Sequence, residues 1–478
     1  MGSTDAASTG QVPFGKPMRA LFPFAPTYRN LNHGSYGTYP TAVGTARAQH
    51  LADHEARAEI HKRLDSPKLV KKARAAFKPL LGDNVHLNEL VLVANATTGV
   101  NIVLRNLSPQ WSAPSPDSGD AVLYLTPIYG SCDKTLQDLA QGGRLHPVEI
   151  HVSFPKDDDD SLVQKLRDTY SAATARGLKV RMAIFDTIVS APGVLLPWER
   201  LTAVCRELGI LSLIDAAHAI GHIDLTHLGN PDVSPDFFVS NLHKWLFVPR
   251  GCAMLYVPFR NQHYLGSSLP TSWGYQLPGK RGDQSEEALA ALSNSSNPPP
   301  DTYFTELFAE VGTLDYSPWL SVPEAVKFRE EVCGGEKAIR DYCIDLVQKG
   351  SDRVAAKLGT EVMDNPQSNI RKCCLNNVRL PFKVVNGNDD GGDVEAVPLD
   401  QFETMLGWLT EYSYQKYDSY FRITYYEGQP WVRLSSQVYL DLDDFDWAGD
   451  VLVDLVAQIK SGEWKNTPGV QHRAESKK

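Results

Sequence analysis

ERLTAVCRELGILSLIDAAHAIG, residues 199–221, is a helical pattern that runs straight into a short apolar run, and its reading decides the fold. Leu201, Val204, Cys205 and Leu208 recur at helical spacing, and Gly209 ends the run. LSLID (211–215) then reads as a buried strand ending in a carboxylate. The same alternation extends from about residue 90 to 260. Further strands are expected at LVLVA (90–94), AVLYL (121–125), VRMAIF (180–185), FFVS (237–240) and CAMLYV (252–257). Strands alternating with helices predict an α/β fold with a mostly parallel sheet. Right-handed crossovers then bring the chemistry to the strand C-terminal ends.

After about residue 320 the pattern shifts to helices with a few strands, among them LNNVRLPF and WVRLSSQVYL, which predicts a smaller α+β lobe. The expected division is an N-terminal arm (1–30), a large domain (31–320) and a small C-terminal domain (321–478). Turn-rich breaks fall at SPQWSAPSPDSG (108–119), PKDDDDS (155–161), NSSNPPPD (294–301) and NGNDDGGD (386–393). Asp157 to Asp160 read as a solvated loop run rather than a cation site. No internal repeat is found.

Lys plus Arg (47) against Asp plus Glu (57) leaves a net charge of −10, with no long basic run. A nucleic-acid surface and a polybasic membrane patch are therefore disfavoured, and a small-molecule partner is expected. The N-terminus lacks the basic start and apolar run of a secretory signal. Gly2 lacks the Ser or Thr a myristoylation site needs, because Ala6 stands there, and no stretch is apolar enough to span a bilayer. Seven scattered cysteines without a C-x-x-C pair argue against disulfides and zinc, so no metal and a cytoplasmic location are expected. The Asn95 and Asn294 glycosylation patterns read as chance.

SNLHKWLFVPRG (240–251) sets Lys244 between a histidine and a tryptophan in an apolar segment. An aspartate at the end of a buried strand, Asp215, is costly unless a cation meets it. The ring nitrogen of pyridoxal phosphate is such a cation, and a desolvated lysine that condenses with its aldehyde is the other half of that arrangement. Alone, Lys244 would read as a snorkelling surface residue and Asp215 as a capping carboxylate; together they favour the cofactor. In LVLVANATTGVNIVL a strand, a turn and a helix start place Thr97 and Thr98 where a phosphate could meet a helix N-terminus. An N-cap is the plain alternative. His243 is a further donor to the phosphate. Tyr129 follows a strand and suits a flat ring, and His218 lies three residues after Asp215.

LNHGSYGTYP (31–40), NATTGV, DTIVSAPG, IDAAHAIG, SNLHKWLFVPRG and VGTLDYSPWLSVPEA (311–325) together resemble the class V aminotransferases, which are fold type I pyridoxal phosphate enzymes. The branch resembled most is that of isopenicillin N epimerase-like proteins. The resemblance implies a large domain with a mostly parallel seven-stranded sheet, and a homodimer with active sites at the interface. It implies Lys244 as the residue linked to the cofactor, Asp215 at the ring nitrogen, His218 near the ring, and Thr97 and Thr98 at the phosphate. Ser190 would lie near the phenolic oxygen, with Thr313 reaching the partner subunit's phosphate. Thr187 stands where relatives often carry histidine.

Arg433, in PWVRLSS, resembles the family arginine that forks onto a substrate carboxylate, with Asn32 as a second substrate contact. An amino-acid substrate follows. Cys373 and Cys374 read as structural rather than as a mobile thiol nucleophile. The NHGSYG start, TPIYGSC and the aromatic-rich small lobe resemble the fungal hercynylcysteine sulfoxide lyases. That resemblance implies β-elimination from a cysteine S-conjugate sulfoxide, giving a sulfenic acid, pyruvate and ammonia, with Tyr129 stacking on the ring or protonating the leaving group. An epimerase or racemase, a cysteine desulfurase-like enzyme and a non-enzymatic scaffold are the alternatives. Trp273, Tyr275, Tyr425, Tyr426 and Trp431 are the aromatic residues considered for a trimethylammonium group.

Overall fold

Each of the six apolar runs becomes a strand in the computed structural model, which describes residues 10–386 and 395–465. They are β1 (Leu90–Val93), β2 (Gly119–Thr126), β4 (Leu178–Asp186), β5 (Leu211–Asp215), β6 (Phe237–Asn241) and β7 (Ala253–Tyr256). The seventh, β3 (His146–His151), escaped the pattern because it is an edge strand whose residues are mostly half-exposed. The sheet order is β1-β7-β6-β5-β4-β2-β3, parallel throughout except that β7 runs against both neighbours. Strands buried on both faces need continuous apolar runs, which is why β1, β6 and β7 are apolar almost throughout.

Helices α1 (Ala96–Leu107), α2 (Gly130–Gln141), α3 (Asp159–Ala175) and α4 (Trp198–Glu207) follow β1 to β4 in turn. Helix α1 turns Val100, Val103, Leu104 and Leu107 into the core. Gly99 lets it approach β6 closely: a Cβ there would lie 2.4 Å from Cγ1 of Val239. The acidic run at 157–160 is not a free loop. Asp158 caps α3 by accepting from the Ser161 N–H, and Asp157 is paired with Lys165 at 2.5 Å, because carboxylates are favoured at a helix N-terminus. Among the described residues no cluster suited to a metal is found, and no helix is long and apolar enough to cross a membrane.

A second sheet is antiparallel, with β8 (Leu375–Arg379), β9 (Arg422–Tyr426) and β10 (Gln429–Ser435) in the order β8-β10-β9. Helices α5 (Glu336–Leu358), α6 (Phe402–Tyr417) and α7 (Leu442–Ser461) contribute apolar side chains to its core. Met18 and Phe22 of the N-terminal segment are buried in that core beside Phe247 and Tyr439. Val322 and Ala325 instead join the core of the first sheet. Of NGNDDGGD only Asn386 lies within the described residues; residues 1–9, with Gly2 and Ala6, and 466–478 lie outside them.

Candidate active site

Parallel strands deliver their C-terminal residues to one edge of the sheet. Asp186 ends β4, Asp215 ends β5 directly opposite it, and β6 runs into a short helix, Leu242–Trp245, that carries Lys244. A cavity of about 1010 Å³ opens over these ends and is walled on its other side by Asn32, Ser35 and Arg433.

Lys244 is 9% exposed, and burial pushes its ammonium down to about 8, with Asp215 drawing it partly back. Its Nζ lies 2.9 Å from Nε2 of His218, whose Nδ1 accepts from the indole N–H of Trp245 at 3.1 Å. Burial keeps His218 neutral, well below its ordinary range. An indole nitrogen only donates, so the proton of His218 sits on Nε2. That N–H must donate to Lys244, so the amine presents its lone pair: the network selects the nucleophilic form. The backbone beneath is pinned at two carbonyls, Lys244 O by Nε2 of His33 at 2.6 Å and Trp245 O by Arg329 at 2.7 Å. Phe247, fully buried at φ 64°, closes this segment in a conformation rare for a bulky residue.

Asp215 accepts from the thiol of Cys132 at 3.3 Å and from the Ala217 N–H at 3.1 Å. Asp186 has no hydrogen-bond donor among the described residues, although it is 7% exposed and lines the cavity. Burial and the neighbouring Asp215 push its carboxyl well above the usual range. Of the pair, Asp215 has the donors that favour a charge and Asp186 holds the proton.

At the far end, Asn95 caps α1, taking the Thr98 N–H at 2.8 Å and its hydroxyl at 3.0 Å. Thr97 lines the cavity, whereas Thr98 is spent on the cap. His243 donates from Nδ1 to the Cys252 carbonyl at 2.8 Å, leaving Nε2 as a lone pair that donates only after taking a proton. Arg250 lines the same end. Tyr129, 46% exposed, and Ser190 also line the cavity; Thr313 is exposed on a loop and does not. Thr187 is fully buried, its hydroxyl unpartnered, and the cavity wall beside it is Asp186.

Arg433 donates to Asn32 Oδ1 at 2.8 Å, to Ser35 Oγ at 2.9 Å and to the Ser190 carbonyl. Its Nε has no partner, and among the described residues no carboxylate pairs with it. Burial pushes it down to about 10. A buried guanidinium without an anion is costly, and a ligand carboxylate is what the cavity offers in compensation. Trp273, Tyr275, Tyr425, Tyr426 and Trp431 do not line the cavity; Trp273 is 92% exposed and Trp431 belongs to a core. Phe24, Tyr28, Tyr36 and Tyr420 do. All seven cysteines are buried, and burial pushes the Cys373 thiol up to about 12 and that of Cys374 well above its ordinary value.

These residues fit pyridoxal phosphate. Lys244 would hold its aldehyde carbon, Asp215 its ring nitrogen, and Thr97, His243 and Arg250 its phosphate; Arg433, with no carboxylate partner among the described residues, is left for the substrate. Sequence reading missed Asp186, Cys132, Ser35 and Arg250. Asp186 opens the quoted DTIVSAPG and Arg250 lies in the quoted SNLHKWLFVPRG, so both were in view, whereas Cys132 and Ser35 gain meaning only from spatial neighbours.

A family model described as aminotransferase class-V matches residues 38–272. The L-cysteine desulfhydrase-like protein lolT1 of Epichloe uncinata is 34% identical over 462 residues, 95% of this chain and 98% of that protein. The hercynylcysteine sulfoxide lyase of Schizosaccharomyces pombe is 29% identical over 445 residues, 92% of this chain and 98% of that protein. Among solved structures, the cystine C-S lyase C-DES with its reaction product cysteine persulfide matches with a TM-score of 0.63 at 18% identity, over 90% of this chain and 97% of that one.

Proposed function

The chain belongs to the aminotransferase class-V family and is a pyridoxal phosphate-dependent carbon–sulfur lyase, and on that premise we propose hercynylcysteine sulfoxide as its substrate. When bound, the cofactor withdraws electrons from Cα and makes its proton acidic. The chain's own residues supply the rest. Arg433 takes the substrate carboxylate in a fork prepared by Asn32, Ser35 and Ser190. Lys244, whose ammonium burial pushes down to about 8, takes the Cα proton as the free amine. Tyr129, which lines the cavity, is the candidate to protonate the oxygen of the departing sulfenate. The C–S bond breaks to a sulfenic acid, and the three-carbon fragment takes up water to give pyruvate and ammonia.

The observation that carries this reading is the presence in one cavity of Lys244, its ammonium pushed down to about 8 by burial, and of Arg433, with which no carboxylate among the described residues pairs, beside which every thiol is buried. A desulfurase passes sulfur to a reactive cysteine, and buried, protonated thiols are poor nucleophiles. Elimination to a leaving sulfenate needs no such thiol. The identity to the S. pombe lyase over nearly its whole length supports the substrate. The higher identity to lolT1 favours a second reading, elimination from L-cysteine itself.

Incubation of the purified protein with hercynylcysteine sulfoxide is expected to release pyruvate, and Lys244→Ala to abolish that release. Pyruvate from L-cysteine alone would favour the second reading; epimerised substrate without pyruvate would favour an epimerase.

We further propose a cytoplasmic homodimer, divided into segments 1–30, 31–320 and 321–478, in which the exposed loop bearing Thr313 reaches the partner's phosphate end.

A further inference from the structure

Arg422 and Arg433 face each other across β9 and β10, and both line the cavity. Like charges directly opposite on one sheet face repel, so this pair favours anions close by. Arg433 is buried at the base; Arg422 is exposed at the mouth and forms no ion pair among the described residues. One α-carboxylate satisfies the inner guanidinium and leaves the outer one open.

Asp418 lines the same mouth with no cationic partner among the described residues, and its carboxylate is held by the Thr27 hydroxyl at 2.5 Å. It terminates α6 at φ 47°. A carboxylate at a helix C-terminus meets the negative end of the helix dipole, so the left-handed backbone explains a small polar residue there but not a charged one. Tyr28 and Tyr420 line the cavity beside it. Phe24 does as well, but Arg19 already stands over its ring at 5.3 Å.

We propose that the cavity mouth is a zwitterion subsite, taking a distal carboxylate on Arg422 and a distal quaternary ammonium on Asp418, Tyr28 and Tyr420. This deepens, and rests on, the reading of the substrate given above. An α-trimethylammonium carboxylate carries both charges on one carbon, and residues 418 and 422 present the complementary pair across one chain reversal. Two carboxylates and one fixed cation on the substrate then match two arginines and one aspartate on the wall.

The test compares hercynylcysteine sulfoxide with S-methyl-L-cysteine sulfoxide on the holoenzyme, as the ratio of their kcat/KM values from pyruvate release. Arg422→Gln and Asp418→Asn, the latter keeping a residue tolerant of the left-handed backbone, are each expected to lower that ratio about tenfold, mainly through KM of the larger substrate. A ratio within about twofold of wild type in both variants overturns the subsite. Should the wild type release no pyruvate from hercynylcysteine sulfoxide, the substrate reading fails. The subsite is then judged by calorimetric binding of hercynine to the holoenzyme: weaker binding in both variants upholds it, and binding that is absent or unchanged overturns it.

Discussion

Nζ of Lys244 faces the Nε2–H of His218 because Trp245 has claimed the other nitrogen of the same ring. Removing the indole in Trp245→Phe frees His218 to move its proton to Nδ1 and offer Nε2 as an acceptor. An ammonium at Lys244 then gains a partner it lacks in the wild type. One hydrogen bond of about 1 kcal/mol corresponds to an upward shift of roughly 0.7 pKa unit. The pH midpoint for capture of pyridoxal phosphate by the apoprotein, followed by stopped-flow absorbance, is expected to rise by that order. An unchanged midpoint would remove the tautomer from the account.

Wild-type capture should itself follow Lys244, whose value is pushed down to about 8 by burial. The free amine is the nucleophile, so the rate climbs as pH rises to that value and levels above it. The stability sign is opposite to that of a salt-bridged lysine. Between about 8 and the ordinary 10.5 the unfolded chain binds a proton that the folded apoprotein does not. Apoprotein stability is therefore expected to rise with pH across that window, and Lys244→Met to flatten the rise in a urea titration.

Asp186 and Asp215 call for opposite outcomes from the same substitution. Asp186 is raised by burial and by Asp215, so it opposes folding as pH climbs from the ordinary carboxyl range toward its folded value. Asp186→Asn mimics the neutral acid. Its apoprotein is expected to lose less stability than wild type over that rise, read as the difference in Tm. Asp215→Asn removes the charge that meets the cofactor ring and is expected to weaken pyridoxal phosphate binding by about 10²-fold, in line with a lost charge-assisted hydrogen bond of roughly 3 kcal/mol.

Much of this was legible in the chain. Strands buried on both faces are largely apolar and leave a strong signal, so β1, β2, β4, β5, β6 and β7 stood out, whereas the half-exposed edge strand β3 did not. Lys244 and Asp215 were readable because each breaks an apolar run at a cost that only chemistry explains. Thr98 and the five aromatics considered for a cation, none of them assigned to it, do not line the cavity, for a different reason. Capping of α1 uses Thr98 locally, and an aromatic cluster in sequence says nothing about which way its rings turn once β9 and β10 pair. The contact of Cys132 with Asp215 joins the first turn of α2 to the end of β5 and exists only in three dimensions.

Gly99→Ala tests how closely α1 must approach β6. The new methyl would sit 2.4 Å from Cγ1 and 3.0 Å from Cγ2 of Val239, a buried β-branched residue with little rotamer freedom. The helix must back away and carry Thr97 with it. A loss of about 1–3 kcal/mol in urea unfolding is expected, typical of overpacking. Weaker retention of pyridoxal phosphate on dialysis should accompany it. The double change Gly99→Ala with Val239→Ala should recover both, since it restores the space.

Arg433→Lys keeps the charge and removes the fork. Lysine presents one nitrogen where Arg433 donates separately to Asn32, Ser35 and Ser190, so the prepared geometry is lost while the cation remains. If a carboxylate docks there, KM for any α-amino acid substrate should rise by about 10–100-fold, with pyridoxal phosphate still bound. Decarboxylated substrate analogues, the corresponding amines, should bind the variant and the wild type alike. Were Arg433 purely structural, the two proteins would differ instead in Tm and keep the same KM. The missing anion decides the expectation: Arg433 is buried and lines the cavity, yet no carboxylate among the described residues pairs with it.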